Sequence, residues 1–114
     1  MNALGLRMYI TTIDGVINSP IWYDEIVKQG VSPAELQGTR AQLSHLDRAM
    51  LATPHEKLDA LVAQHDAELT AHAAKFQGDW QKDRLAGFRD AQVFIGSVVT
   101  IFNAAGIAPQ NIES

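Results

Sequence analysis

Four histidines and a scatter of acidic side chains are the groups in this 114-residue sequence that could do metal or acid–base chemistry. His65 and His72 stand seven residues apart, two helical turns, with Glu68 between them. On a helix, His65-x-x-Glu68-x-x-x-His72 presents two imidazoles and a carboxylate on one face. Such a set suits zinc, iron or manganese. Helical bundles build their metal sites this way, with ligands from facing helices. A further ligand is required, and His45, beside Asp47 on the preceding helical segment, is the candidate. The competing reading makes these histidines amphipathic residues at the edge of an apolar seam, hydrogen-bonded to neighbours. No paired Glu-x-x-His motif lifts the metal reading above it, so no cofactor is expected and metal binding stands as the alternative.

Other constellations fail on spacing. His55-Glu56, with Asp59 and His65 downstream, echoes a zinc-protease pattern. Val62 occupies the place where the long form of that motif needs a glycine to turn the chain. Without the turn, His55 and His65 lie about 15 Å apart along one helix. The absence of cysteine excludes disulfides, thiol nucleophiles and cysteine-ligated metals. There is no glycine-rich phosphate loop, and Ser44, His45 and Ser97 suggest no triad. The net charge is −4 and the pI about 5.4. Lys75, Lys82, Arg84 and Arg89 are interleaved with Asp79, Asp83 and Asp90, which makes a solvated face rather than a nucleic-acid track.

The elements that must position these groups are helical. Residues 80–105 form the organising stretch, with Asp79 as the expected N-cap and Gly106 and Pro109 as the stop. From residue 93 to 102 the stretch is apolar almost all round, and Ser97, Thr100 and Asn103 make one narrow polar stripe. A helix of that kind must be covered on every side, by its own chain or in part by a partner. The apolar run is shorter than the roughly 20 residues a bilayer requires. No secretory signal is evident, and a cytoplasmic protein without membrane contact is expected.

Upstream, Ser32-Pro33-Ala34-Glu35 opens a helix running to about Leu51 on the stripe Leu36, Thr39, Leu43, Leu46, Met50. Thr53-Pro54 opens another, carrying Leu58, Leu61, Val62, His65, Leu69, His72 and Phe76, to residues 77–78. Ser19-Pro20 opens a short one over residues 21–29, stopped by Gly30. Residues 1–19 alternate Leu4, Leu6, Met8, Ile10, and Asp14-Gly15 has the chemistry of a hairpin turn. They read as an extended or β-hairpin arm, with a helix over 3–13 as the other possibility.

The expected fold is mainly α: a single domain over residues 1–114, a small antiparallel bundle of three long helices and one short one. The expected function is non-enzymatic, a self-associating or partner-binding subunit of adaptor or inhibitor type. Small acidic helical proteins of that class include some encoded by bacteriophages. Tyr9, Trp22, Tyr23, Phe94, Val98 and Phe102 are the expected interface residues, since aromatic groups dominate binding hot spots. A protein partner or a homo-oligomer is implied, and nucleic acid is not.

Overall fold

A computed structural model describes residues 1–107. These contain six helices and no strand: α1 (Ala3–Ile17), α2 (Pro20–Lys28), α3 (Pro33–Leu51), α4 (His55–Gln64), α5 (Asp66–Asp79) and α6 (Arg84–Ala104). They form a flat, mainly helical body of 41 × 32 × 19 Å. Its thin dimension is about two helix diameters. The α5–α6 hairpin is its most extensive packing, α2 and α3 lie against α6, and α1 packs on α2, α3 and α4.

The expected β-hairpin arm is instead helix α1. Asn2 caps it, accepting a hydrogen bond from the Gly5 N–H at 2.8 Å, and the Asp59 carboxylate accepts another from the Ala3 N–H at 2.8 Å. The period-two pattern has a physical origin. Leu6, Ile10, Ile13 and Ile17 are buried, whereas Leu4 and Met8 are exposed. Leu4 and Met8 share one helix face and Leu6 and Ile10 the opposite one. Two opposed i, i+4 stripes interleave in sequence as strict alternation.

The bundle of three long helices and one short one is likewise replaced by six helices. The segment expected as one helix from Thr53 to residue 77 breaks at His65, whose N–H bonds to the Val62 carbonyl. The break lets α4 bury Leu58, Leu61 and Val62 while α5 buries Leu69, Ala73 and Phe76 against α6. Thr53 is not the cap of α4; its hydroxyl donates to the Ala49 carbonyl, and Pro54 occupies the N-cap. The last helix starts at Arg84, four residues later than expected. Asp83, not Asp79, is its cap, accepting from the Leu85 and Ala86 N–H groups at 3.1 and 3.2 Å. Gly78 lies inside α5, and residues 80–83 make the reversal. Its tightest point is Gly87, where a Cβ would stand 2.5 Å from Trp80 Cα.

Other starts and stops hold. Ser32 Oγ accepts from the Glu35 N–H at 3.1 Å, and Gly30 and Gly106 adopt φ of 104° and 81°, the left-handed region that ends a helix. Pro109 lies outside the described residues. The Glu35 carboxylate does not return to its own cap. It reaches α6 to meet Arg89 and Gln92, and those hydrogen bonds hold it below the usual carboxylate range. Phe76, Phe88, Phe94 and Phe102 are fully buried and form the aromatic part of the core.

Gly38 stands exposed in α3 with open space where a Cβ would be. Gly38→Ala is expected to stabilise the protein by about 1 kcal/mol, the helix-propensity difference. A higher urea midpoint at unchanged slope checks this.

Candidate protein-interaction surface

Helix α1 places one apolar stripe in the core and a second in solvent. Leu4 and Met8 are 59% and 62% exposed, and the same face continues through Thr11, Thr12 and Gly15. The Thr11 and Thr12 hydroxyls are turned back onto the Arg7 and Met8 carbonyls at 2.9 Å. Their methyl groups therefore prolong the apolar surface. The C-terminal half of this face opens into a groove of about 530 Å³. Thr12, Gly15 and Val16 of α1, Ile21 and Trp22 of α2, and Trp80 at the end of α5 supply most of its walls. Ile21 is 71% exposed at its rim. Among the described residues that line the groove, Arg84 alone carries a formal charge, and it is tethered through Nη1 to the Gln81 carbonyl at 3.1 Å. Trp22 Nε1, Trp80 Nε1 and Arg84 Nε are buried without a hydrogen-bond partner.

Arg7 and Asp14 lie along one flank of the outer stripe, two turns apart. Both act on Asp47 of α3. Its carboxyl is raised chiefly by burial and then by Asp14, with Arg7 opposing. The ion pairs among the described residues do not include Arg7.

The six aromatic and aliphatic residues expected at an interface divide. Phe94, Val98 and Phe102 are at most 1% exposed and belong to the chain's own core. They are on the inward side of α6. Trp22 is also buried, its ring against Phe88 with centroids 5.9 Å apart, although it walls the groove. Tyr9 is half-buried. It stacks on Phe94 at 5.6 Å and donates to the Ala73 carbonyl at 2.9 Å, and burial raises its pKa. Tyr23 is half-buried under the Arg40 guanidinium, 5.3 Å from the ring centroid. Leu4, Met8 and Ile21 were not singled out by residue type. The signal that finds Leu4 and Met8 is their i, i+4 spacing once α1 is a helix.

Of the expected histidine stripe, Glu68 and His72 lie on α5, whereas His65 sits at the break between α4 and α5. His65 Nδ1 and His72 Nε2 each lie 3.9 Å from a Glu68 oxygen. Glu68, however, is held by α6, accepting from Ser97 Oγ at 2.5 Å. His45 stays on α3. Among the described residues no three histidine, aspartate or glutamate side chains gather closely enough to hold a metal ion.

Among the described residues, one carboxylate is nearly buried. Asp90 of α6 is 8% exposed, with Oδ1 3.7 Å from Lys75 Nζ and no hydrogen-bond donor on Oδ2. Burial, then the neighbouring Asp79, raises its carboxyl, while Asp79 is lowered by hydrogen bonds from Asp90 and Lys75. A folded pKa above the unfolded one means the native state binds that proton more readily. Asp90 therefore opposes folding at neutral pH, and the opposition fades as pH falls through its folded pKa. Asp90→Asn is expected to stabilise the fold at pH 7 by roughly 1 kcal/mol, the scale of one poorly partnered buried polar group. The gain disappears toward pH 3. Paired urea titrations at the two pH values check this.

The helix α6 is 21 residues long. By length and by a mean hydropathy of 1.3 it meets the requirement for a bilayer span, and half of that window is buried in the fold. It is longer than its apolar run because its first turns carry the charged residues Arg84, Arg89 and Asp90. No protein-family model, curated protein or solved structure matches the chain.

Proposed function

We propose that the chain is a non-enzymatic protein-interaction subunit that offers the outer face of α1 and the adjoining groove to a protein partner. The observation that carries this is the second apolar stripe of α1. Leu4 and Met8 face water on a helix whose other side already supplies Leu6, Ile10, Ile13 and Ile17 to the core. Single exposed apolar residues are ordinary on protein surfaces. A row of them running into a groove walled by two tryptophans marks a contact surface. The pairing of aromatic walls with exposed aliphatic side chains is the anatomy of an interface centre. The metal-binding alternative is weaker, because Glu68 is tied to Ser97 and the imidazoles sit at 3.9 Å from it.

The test is site-specific photocrosslinking in the cells that make the protein. A benzophenone amino acid at position 8 is expected to form a covalent adduct with a protein. The same probe at Lys57, exposed on α4, serves as the control and is expected to give none. No adduct from position 8, or equal labelling from both positions, would sink the reading.

A further inference from the structure

We infer that the occupant of the α1 face is a second copy of this chain, paired antiparallel through α1 about a two-fold axis that crosses the helix between Ile10 and Thr11. This deepens the proposed function and rests on that reading of the face. The surface is complementary to itself end for end. Its N-terminal half carries two projecting side chains, Leu4 and Met8. Its C-terminal half carries a recess, the groove floored beside Gly15, where nothing lies within 4 Å of a Cβ position. A two-fold axis perpendicular to both helices sets Leu4 at the height of Ile17 and Met8 at the height of Ile13 in the other chain. Each projecting pair then falls at the level of Thr12, Gly15 and Val16 in the other chain, where the groove opens. This is the requirement of an isologous contact, in which one patch must fit its own copy.

Charge selects the same arrangement independently. In an antiparallel pair related by that axis, a given flank of one helix meets the same flank of the other, as equivalent flanking positions do in antiparallel coiled coils. Arg7 and Asp14 share a flank and are equidistant from the axis. Arg7 of each chain thus meets Asp14 of its copy, giving two equivalent ion pairs. A parallel pairing would set the Arg7–Asp14 flank against the other flank of the copy, where Gly5, Thr12 and Val16 stand and no charge is available. Asp14 has a light commitment in the single chain, accepting from Asn18 Nδ2 at 3.0 Å, and one carboxylate can also take the arginine. The two threonines and Gly15 in the middle of the stripe let the helices approach closely.

Sedimentation equilibrium at low salt on the full chain tests this with four variants. The native chain is expected to be a reversible dimer. Arg7→Asp and Asp14→Arg should each weaken dimerisation about ten-fold or more, since each turns two attractions into repulsions. The double reversal, Arg7→Asp with Asp14→Arg, should restore it to within about three-fold. Gly15→Gln should also weaken it about ten-fold by filling the recess. Its melting temperature as a dilute monomer should not fall, because the site is open and glutamine favours the helix. A chain that stays monomeric at every concentration while position 8 crosslinks to a different protein overturns the homodimer and leaves the partner-binding reading standing. A dimer that Arg7→Asp, Asp14→Arg and Gly15→Gln all leave unshifted, or that the double reversal fails to restore, overturns the antiparallel geometry. A monomer with no crosslink from position 8 overturns both.

Discussion

Gly87→Ala is expected to destabilise the protein by about 3 kcal/mol, at the upper end of what one added methyl costs in a packed core. An ideal Cβ at this position stands 2.5 Å from Trp80 Cα, 2.8 Å from Trp80 Cβ and 3.3 Å from Trp80 N. Two of these three atoms are backbone, so no rotamer change relieves the overlap. Relief requires α6 to lift from the end of α5, and that hairpin is the largest packing surface in the fold. The same shift disturbs Phe88, the next residue, which meets Trp22 of α2. Gly96→Ala is the matched control. It lies in the same helix with open space at its Cβ position and should gain about 1 kcal/mol from propensity alone. Urea titration of both variants separates the effects. A Gly87→Ala chain as stable as Gly96→Ala would show that α6 does not close on Trp80 this tightly.

Phe94→Ala is expected to cost about 4 kcal/mol of unfolding free energy. The ring is fully buried and stacks at 5.6 Å on Tyr9 of α1, whose hydroxyl donates to the Ala73 carbonyl of α5. Its removal leaves a void on which three helices converge. Against a typical total of about 5–15 kcal/mol, that is a large fraction. A double-mutant cycle with Tyr9→Leu isolates the ring pair, expected to couple by about 1 kcal/mol. Were Phe94 a contact residue for a partner, truncating it would weaken association and leave monomer stability nearly unchanged. The two outcomes are opposite and are read from one denaturation curve.

Much of this architecture was legible in the residues, and the failures have definite causes. The α2 and α3 starts are readable because Ser-Pro places a cap and a first-turn proline side by side. The stripe Leu36, Thr39, Leu43, Leu46, Met50 is buried as its spacing requires. Helix α1 reads as a strand in the sequence because two opposed apolar stripes imitate one. Periodicity cannot distinguish them unless both faces are known to be occupied. The break at His65 left no trace, since the apolar stripe runs through it; it exists because α4 and α5 pack on different neighbours. Asp79 and Asp83 are equally good caps by type, and the choice between them is made by Trp80 closing on Gly87, a contact between helices. The interface residues were chosen by aromatic and aliphatic character. Character alone does not say which face another helix covers, and so Phe94, Val98 and Phe102 turned out to be core while Leu4, Met8 and Ile21 stand in water.

The outer face of α1 is expected to be covered in the working state of the protein. The three methionines report on it directly. Met8 is 62% exposed in the single chain, Met50 is 2% exposed, and Met1 lies between. Brief oxidation followed by peptide mass spectrometry reads each one separately, since sulfoxide formation follows exposure. In dilute purified protein Met8 should oxidise fastest and Met50 slowest. In intact cells, or at concentrations where the chain assembles, Met8 should be protected several-fold while Met50 is unchanged. If Met8 oxidises at its dilute rate under every condition, its face is open to solvent and the account of the protein as an interaction subunit through α1 is wrong.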